Sequence, residues 1–122
     1  METTLNEYQR KAMSTCMDSC DNFAYMFIGM VGEVGEVASK VAKLIRKEKA
    51  MIRTNDLVDL NLEELPDSEK LAIIDECGDC LWFIAGLTKT LGFTLDEVAE
   101  RNIAKLADRK KRGVIDGNGD HR

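Results

Sequence analysis

The chain has 122 residues, a length that predicts one domain, and it combines 44% hydrophobic with 32% charged residues and a single proline. This composition excludes a disordered tail and a low-complexity linker. The formal net charge of -5 provides no overall field that would attract DNA or RNA, so we expect no nucleic-acid partner.

The distribution of apolar residues argues against export and membrane insertion. The first residues include no basic segment followed by an apolar stretch, as a secretory signal would require. The longest apolar run, residues 81–87, is far below the roughly 18 residues needed to cross a bilayer. We therefore expect a cytoplasmic protein without membrane contact. Four cysteines at helical spacing predict reduced thiols, with a four-thiolate zinc site as the alternative: Cys16, Cys20, Cys77 and Cys80.

Helical periodicity runs through nearly the whole chain, and no stretch alternates apolar and polar residues long enough for a strand. We predict an all-α bundle of about four main helices. The first begins at a capping box of Thr4 and Glu7 and ends near residue 17. The second covers residues 23–48, after a cap at Asp21 or Asn22. It carries a heptad-like seam, which Met30, Val37 and Leu44 widen, and we expect this broad face to be buried within a bundle. The seam residues are Phe27, Val31, Val34, Ala38, Val41 and Ile45.

The pattern weakens over residues 49–66, which we interpret as a connector containing a short helix. Asp67, directly after Pro66, is the candidate N-cap of a third helix. That helix ends at Gly92, which has the position of a C-terminal capping glycine. A capping box of Thr94 and Glu97 opens a fourth helix that ends near residue 110. The helical domain therefore covers residues 1–110, and a glycine-rich tail, which we expect to be mobile, covers residues 111–122.

Two acidic clusters provide the strongest chemical signal. Glu33 and Glu36 on the second helix, and Glu76 and Asp79 on the third, are three residues apart. This spacing puts both carboxylates of a pair on one face of a helix. Four carboxylates from two neighbouring helices are able to converge on a hard divalent cation, since Mg²⁺ and Mn²⁺ favour oxygen ligands. Two solvated helix faces are the alternative interpretation.

Three glycines interrupt the second helix at steps of three residues: Gly29, Gly32 and Gly35. Each costs about 1 kcal/mol relative to alanine inside a helix, so we expect a compensating interaction. Close packing of a neighbouring helix would provide one. Room for a planar or phosphorylated ligand beside the acids is the alternative.

The fourth helix carries polar residues on one face, since Asn102, Lys105 and Arg109 follow at steps of three and four. Cations there are candidates for holding phosphate oxygens, and complementing the helix macrodipole is the alternative. Beside the acids of the third helix, Trp82 and Phe83 are candidates for stacking on a nucleobase. Core packing is the alternative for Trp82.

Taken in order, these motifs resemble those of the MazG-type all-α nucleoside triphosphate pyrophosphohydrolases. The resemblance rests on the series ExxE, ExxD and NxxKxxxR and on the segments GMVGEVGEVASKVAK and DECGDCLWFIAGL, and it covers about residues 5–110. It implies Mg²⁺-dependent hydrolysis of a nucleoside triphosphate between the α- and β-phosphates, giving the monophosphate and pyrophosphate. Nucleotide-pool control or removal of noncanonical nucleotides would be its purpose.

The resemblance also implies residue roles and an assembly. The four acids would hold one or more Mg²⁺ ions, with Mn²⁺ as a substitute, and one acid would orient or deprotonate the attacking water. Lys105 and Arg109 would stabilise charge on phosphate oxygens, and Asn102 would hydrogen-bond to the sugar or a phosphate. Similar family members are dimers or tetramers whose sites draw residues from neighbouring chains, so we expect a homodimer or homotetramer.

Other functions stay open at the level of sequence. A non-catalytic helical interaction module would use its apolar seams to bind a partner, with its acids serving only solubility. Such a module would show neither turnover nor specific stabilisation by Mg²⁺. A relative acting on dUTP, dCTP or a signalling nucleotide would keep the architecture and change the substrate. The connector at residues 49–66 looks longer than in compact relatives, and a lid over the base or a contact with another subunit are its alternative roles.

Overall fold

The computed structural model of the chain describes residues 2–47, 50–52, 58–60 and 65–116. Helices form the packed body, which confirms the predicted all-α class. A 3-10 turn at Asp18–Cys20 follows the first helix, and a pair of short antiparallel strands follows the second. The helices are α1 (Leu5–Met13), α2 (Phe23–Arg46), α3 (Asp67–Thr90) and α4 (Leu95–Arg112), and the strands are β1 (Ala50–Ile52) and β2 (Val58–Leu60).

Three predicted helix caps are present. The side chain of Thr4 accepts a hydrogen bond from the backbone N–H of Glu7 at 3.1 Å, and Thr94 accepts one from Glu97 at 3.2 Å, each within a complete capping box. Asn22 caps α2, because its Oδ1 accepts from the N–H of Tyr25 at 2.9 Å. These caps satisfy backbone donors that the first turn of a helix leaves without a partner.

Some helix ends differ from the prediction. α1 ends at Met13 instead of near residue 17, because the hydroxyls of Ser14 and Thr15 donate to carbonyls of the preceding turn at 2.5 and 2.6 Å. Such local bonds compete with continuation of a helix. Pro66, not Asp67, occupies the cap position of α3. α4 continues to Arg112, past the expected end near residue 110, and stops where Gly113 adopts a φ of 72°.

The short helix predicted within the connector is wrong for the part of the connector that the structure describes. Ala50–Ile52 and Val58–Leu60 pair as antiparallel strands, with Ile52 opposite Val58. β-branched residues favour strands, and the sequence between them contains Thr, Asn and Asp, which favour turns. Residues 48–49, 53–57 and 61–64 lie outside the described residues, as does the tail from residue 117, so its expected mobility stays a prediction.

The most extensive contact between helices joins α2 to α3, and α1 packs across α3 and α4. The buried core contains Met13, Met26, Phe83, Ala85 and Leu95. The ring of Phe83 fills the space where a Cβ on Gly29 would lie, which compensates for that glycine through close packing. At Gly32 and Gly35, by contrast, a Cβ would meet no other atom within 4 Å, so close packing does not compensate for these two glycines. Within the described ranges, none of the helices combines the length and apolar character that crossing a bilayer requires.

The predicted apolar seam of α2 is largely exposed within one chain, which corrects the expectation that it would be buried. Val31 and Val34 are 59% and 56% exposed. Leu44, which widens the predicted face, is buried as expected, and Met26, which lies outside that face, is fully buried as well. α3 likewise leaves apolar side chains uncovered in one chain: Leu71, Ile74 and Leu81. Both helices therefore have a second apolar face that their mutual contact does not cover.

Candidate metal centre

Three of the four predicted acids converge between α2 and α3. Glu33 from α2 and Glu76 and Asp79 from α3 each offer one carboxylate oxygen, and these oxygens lie within 4.8 Å of one another. Glu33 and Glu76 are half-buried, whereas Asp79 is exposed. The packing of Phe83 on Gly29 lies one helical turn away in both helices and holds them close at this point.

The electrostatics of this acidic triad, Glu33, Glu76 and Asp79, fit a cation. Burial, and next the charges of Asp79, Glu76 and Glu36, raise the pKa of the Glu33 carboxyl. The side chain of Lys40 partly offsets the negative charge, because its Nζ lies 3.5 Å from Oε1 of Glu76. Half-buried carboxylates that repel one another form an oxygen donor set of the kind that hard divalent cations prefer. The residues present therefore fit a divalent metal ion.

Glu36 is exposed and lies outside the acidic triad. It is close enough to Glu33 to contribute to the raised pKa of that residue. Glu36 lies about one helical turn after Glu33 on α2. Its role as a metal ligand stays a prediction.

The residues predicted on one face of α4 have different environments. Asn102 and Lys105 are exposed and line an open depression of 630 Å³ together with Val98, Arg101 and Ala104. None of the four predicted acids lines this depression. Arg109 is buried in the chain, with 4% of its surface exposed. Asn102 and Lys105 thus line a surface depression to which the acidic triad does not contribute.

The two aromatic residues beside the acids contribute to helix packing. The indole N–H of Trp82 donates to the carbonyl of Ala12 and to the hydroxyl of Thr15, both at 3.1 Å. Phe83 is buried, and its ring meets that of Trp82 edge-on at a centroid distance of 5.0 Å. Core packing is thus present for Trp82. Stacking of either ring on a nucleobase stays a prediction.

Two residues near the acids were not singled out as site residues from the sequence. Tyr8 of α1 is half-buried, and its burial and the charge of Asp79 raise the pKa of its phenol. Lys40 forms the ion pair with Glu76. The position of Lys40, four residues after Glu36, is a signal available from the sequence, because it continues the acidic face of α2. Nothing in the sequence relates Tyr8 to Asp79.

All four cysteines have free thiols. Burial and nearby negative groups raise the pKa of the Cys16 and Cys80 thiols, which keeps them protonated and unreactive. In the described ranges, which include every cysteine, the grouped candidate metal ligands are the three carboxylates of the acidic triad. The four-thiolate zinc alternative is therefore not formed.

Known proteins are similar to this chain over the helices that carry the acidic triad. Residues 23–114 match the sequence model of the MazG nucleotide pyrophosphohydrolase domain, a segment that contains α2, α3 and α4 and thus the acidic triad. The Gene 37 protein of Mycobacterium phage L5 is similar to this chain, with 38% identity over 105 residues that cover 86% of this chain and 81% of the relative. The chain belongs to the MazG nucleotide pyrophosphohydrolase family.

Proposed function

We propose that this protein is a Mg²⁺-dependent nucleoside triphosphate pyrophosphohydrolase that cleaves a ribo- or deoxyribonucleoside triphosphate between its α- and β-phosphates. The observation that carries the proposal is the convergence of Glu33, Glu76 and Asp79 between two closely packed helices. Membership of the MazG family supports the reaction class. The products are the nucleoside monophosphate and pyrophosphate, and the purpose is control of the nucleotide pool or removal of noncanonical nucleotides.

In this proposal, separate side chains bind the metal and activate the attacking water. Glu33, Glu76 and Asp79 hold the metal, with Glu36 completing the donor set. A bound Mg²⁺ would neutralise phosphate charge and lower the pKa of a coordinated water. One of the carboxylates orients the attacking water and accepts its proton. Mn²⁺ is the expected substitute, because it takes the same oxygen ligands.

The proposed active form contains more than one copy of the chain. The exposed seam of α2 and the uncovered apolar residues of α3 support a second copy packed against this face. Asn102 and Lys105 line a depression to which none of the four acids contributes, and in this proposal a neighbouring copy brings them to the phosphates. Arg109 is proposed to act with them on phosphate oxygens. A homodimer is the smallest assembly that meets these conditions.

Product analysis of the purified protein tests the reaction. A panel of ribo-, deoxyribo- and modified nucleoside triphosphates is incubated with Mg²⁺ or with a chelator, and the products are separated. We expect monophosphate and pyrophosphate only with the metal. Glu36→Ala and Asp79→Ala should each reduce turnover by about a hundredfold or more without unfolding the protein, because each removes a ligand of the proposed metal.

Glu100→Ala is the matched control, since Glu100 is an exposed carboxylate on α4. It should retain full turnover. Diphosphate and phosphate as products would contradict the cleavage position. Unchanged activity in both the Glu36 and Asp79 variants would contradict the metal site. If the protein neither turns over any nucleotide nor is stabilised by Mg²⁺, the alternative of a non-catalytic helical module that binds a partner protein is favoured instead.

A further inference from the structure

A cavity of 180 Å³ lies between the C-terminal half of α2 and the N-terminal half of α3, beyond the acidic triad. Three lysines of α2 form one wall, and a glutamate of α3 stands opposite them. Leu44, which is buried, contributes to an apolar floor. The residues that line this lysine cavity are Lys40, Lys43, Leu44, Lys47, Glu69, Ala72 and Ile73.

The three lysines form a row that starts at the acidic triad. Lys40, Lys43 and Lys47 follow at steps of three and four residues, so they share one face of α2. Successive lysines are about 4.5 and 6 Å apart along the helix axis. At one end of the row, Nζ of Lys40 lies 3.5 Å from Oε1 of Glu76. This ion pair places the first lysine of the cavity wall next to the acidic triad.

The charge and the size of the lysine cavity fit a small anion that carries several negative charges. Three ammonium groups face one carboxylate, that of Glu69, so the lining has a net positive charge. Lys43 and Lys47 also complement the macrodipole at the end of α2, but that role requires neither a floor nor an opposite wall. The volume is below the roughly 300–1,000 Å³ of sites for drug-sized ligands, so it suits a phosphate or pyrophosphate group better than a whole nucleotide.

We propose that the lysine cavity binds the pyrophosphoryl group of the substrate, that is, its β- and γ-phosphates, and holds pyrophosphate after hydrolysis. This inference rests on the proposed function. The acidic triad would hold the metal beside the bound phosphates, and Lys43 and Lys47 bind phosphate oxygens further along α2. The nucleoside is thereby directed toward the N-terminal half of α2.

Calorimetric titration of the full chain with inorganic pyrophosphate, in chelator and separately in Mg²⁺, tests the proposal. Lys43→Gln combined with Lys47→Gln keeps the aliphatic stems and removes two charges. We expect this double variant to bind pyrophosphate at least about tenfold more weakly than the unmodified chain. Lys11→Gln is the control, because Lys11 is an exposed lysine on α1, and it should bind normally. Equal binding by the double variant, or no saturable binding by the unmodified chain in either condition, overturns the proposal.

A competition experiment tests whether pyrophosphate and the phosphates of the substrate bind at the same site. A nucleoside triphosphate analogue with a methylene bridge between its α- and β-phosphates should compete with pyrophosphate, because both would occupy the lysine cavity. Pyrophosphate that the analogue does not displace lies outside the substrate site and overturns the proposal. Turnover and product inhibition that are insensitive to both lysines overturn this inference alone. Lysine-dependent pyrophosphate binding without turnover of any nucleotide supports the anion site and overturns the proposed function.

Discussion

At the scale of single residues, the carboxylate of Glu33 lowers the stability of the metal-free fold at the candidate metal site. Its carboxylate is half-buried, and burial together with neighbouring carboxylates raises its pKa from the ordinary 4.5. Because the folded-state pKa exceeds the unfolded-state pKa, the chain takes up a proton on folding. The stability that this group contributes is present below the unfolded-state pKa and is lost as the pH rises through the folded-state pKa. Ionised Glu33 therefore reduces the stability of the metal-free protein at neutral pH.

Glu33→Gln should raise the Tm of the metal-free protein at neutral pH, because it removes a repelled negative charge. The increase should shrink as the pH falls through the raised pKa of Glu33, because the unmodified chain then becomes protonated at this residue. The same variant should lose about a hundredfold or more in kcat/KM. Thermal unfolding in chelator across this pH range measures the first effect, with Glu100→Gln as the control. A lower Tm for Glu33→Gln at neutral pH would contradict the assignment of repulsion to the acidic triad.

At the scale of elements, Gln9 connects three helices. Its side-chain amide donates to the carbonyls of Ala85 and Phe93 at 3.1 and 3.2 Å, and its Oε1 accepts from the N–H of Leu95 at 3.0 Å. These bonds join α1 to α3 and to the first residue of α4. Since Gln9 itself is buried, they replace water for all of these groups. α1 precedes the segment that matches the family, yet it positions the start of α4.

Gln9→Leu should lower the free energy of unfolding by about 2–4 kcal/mol, because buried polar groups on α3 and α4 lose their partner. Urea denaturation followed by circular dichroism measures this difference. The neighbouring Arg10→Ala provides the control, since Arg10 is exposed, and a change within about 0.5 kcal/mol is expected for it. Equal effects of the two substitutions would show that the amide of Gln9 is not what holds α4 in place.

At the scale of the whole molecule, the uncovered seam of α2 is the dominant surface feature. Val31 and Val34 are more than half exposed, and Phe27 is 49% exposed on the same helix. A row of apolar side chains of this length is typical of an interface. Covering it with a second copy would add apolar burial to a chain whose own buried core is small.

Val31→Glu combined with Val34→Glu should convert the oligomer to a monomer, because like charges would meet at the interface. Light scattering coupled to size-exclusion chromatography measures the mass, and circular dichroism checks that helicity is retained. Met17→Glu is the control: Met17 is 67% exposed but lies between α1 and the 3-10 turn, away from the seam. A monomeric unmodified chain at micromolar concentration would contradict the proposed assembly.

The features of this fold that could be predicted from the sequence depend on residues close together in the chain. A hydroxyl three residues before a glutamate predicts a capping box, and both boxes are present at Thr4 and Thr94. A glycine after an apolar helix predicts a left-handed end, and Gly92 has a φ of 83°. The two acids within each helix could be paired from the sequence, because residues three apart lie on the same side of a helix. Each of these features depends on residues within one turn of one another.

The sequence by itself thus determined the helical class, the two capping boxes, the family and the acidic pairs. Only the tertiary structure decided which face of α2 meets α3, because α2 is apolar on more than one side and periodicity does not rank its faces. The fit of Phe83 into the space at Gly29 and of Met26 into that at Gly86 selects one face. That choice brings Glu33 into the acidic triad, leaves Glu36 exposed and turns Lys43 toward α3. Such selection depends on steric contacts between residues far apart in the chain, which no local pattern encodes.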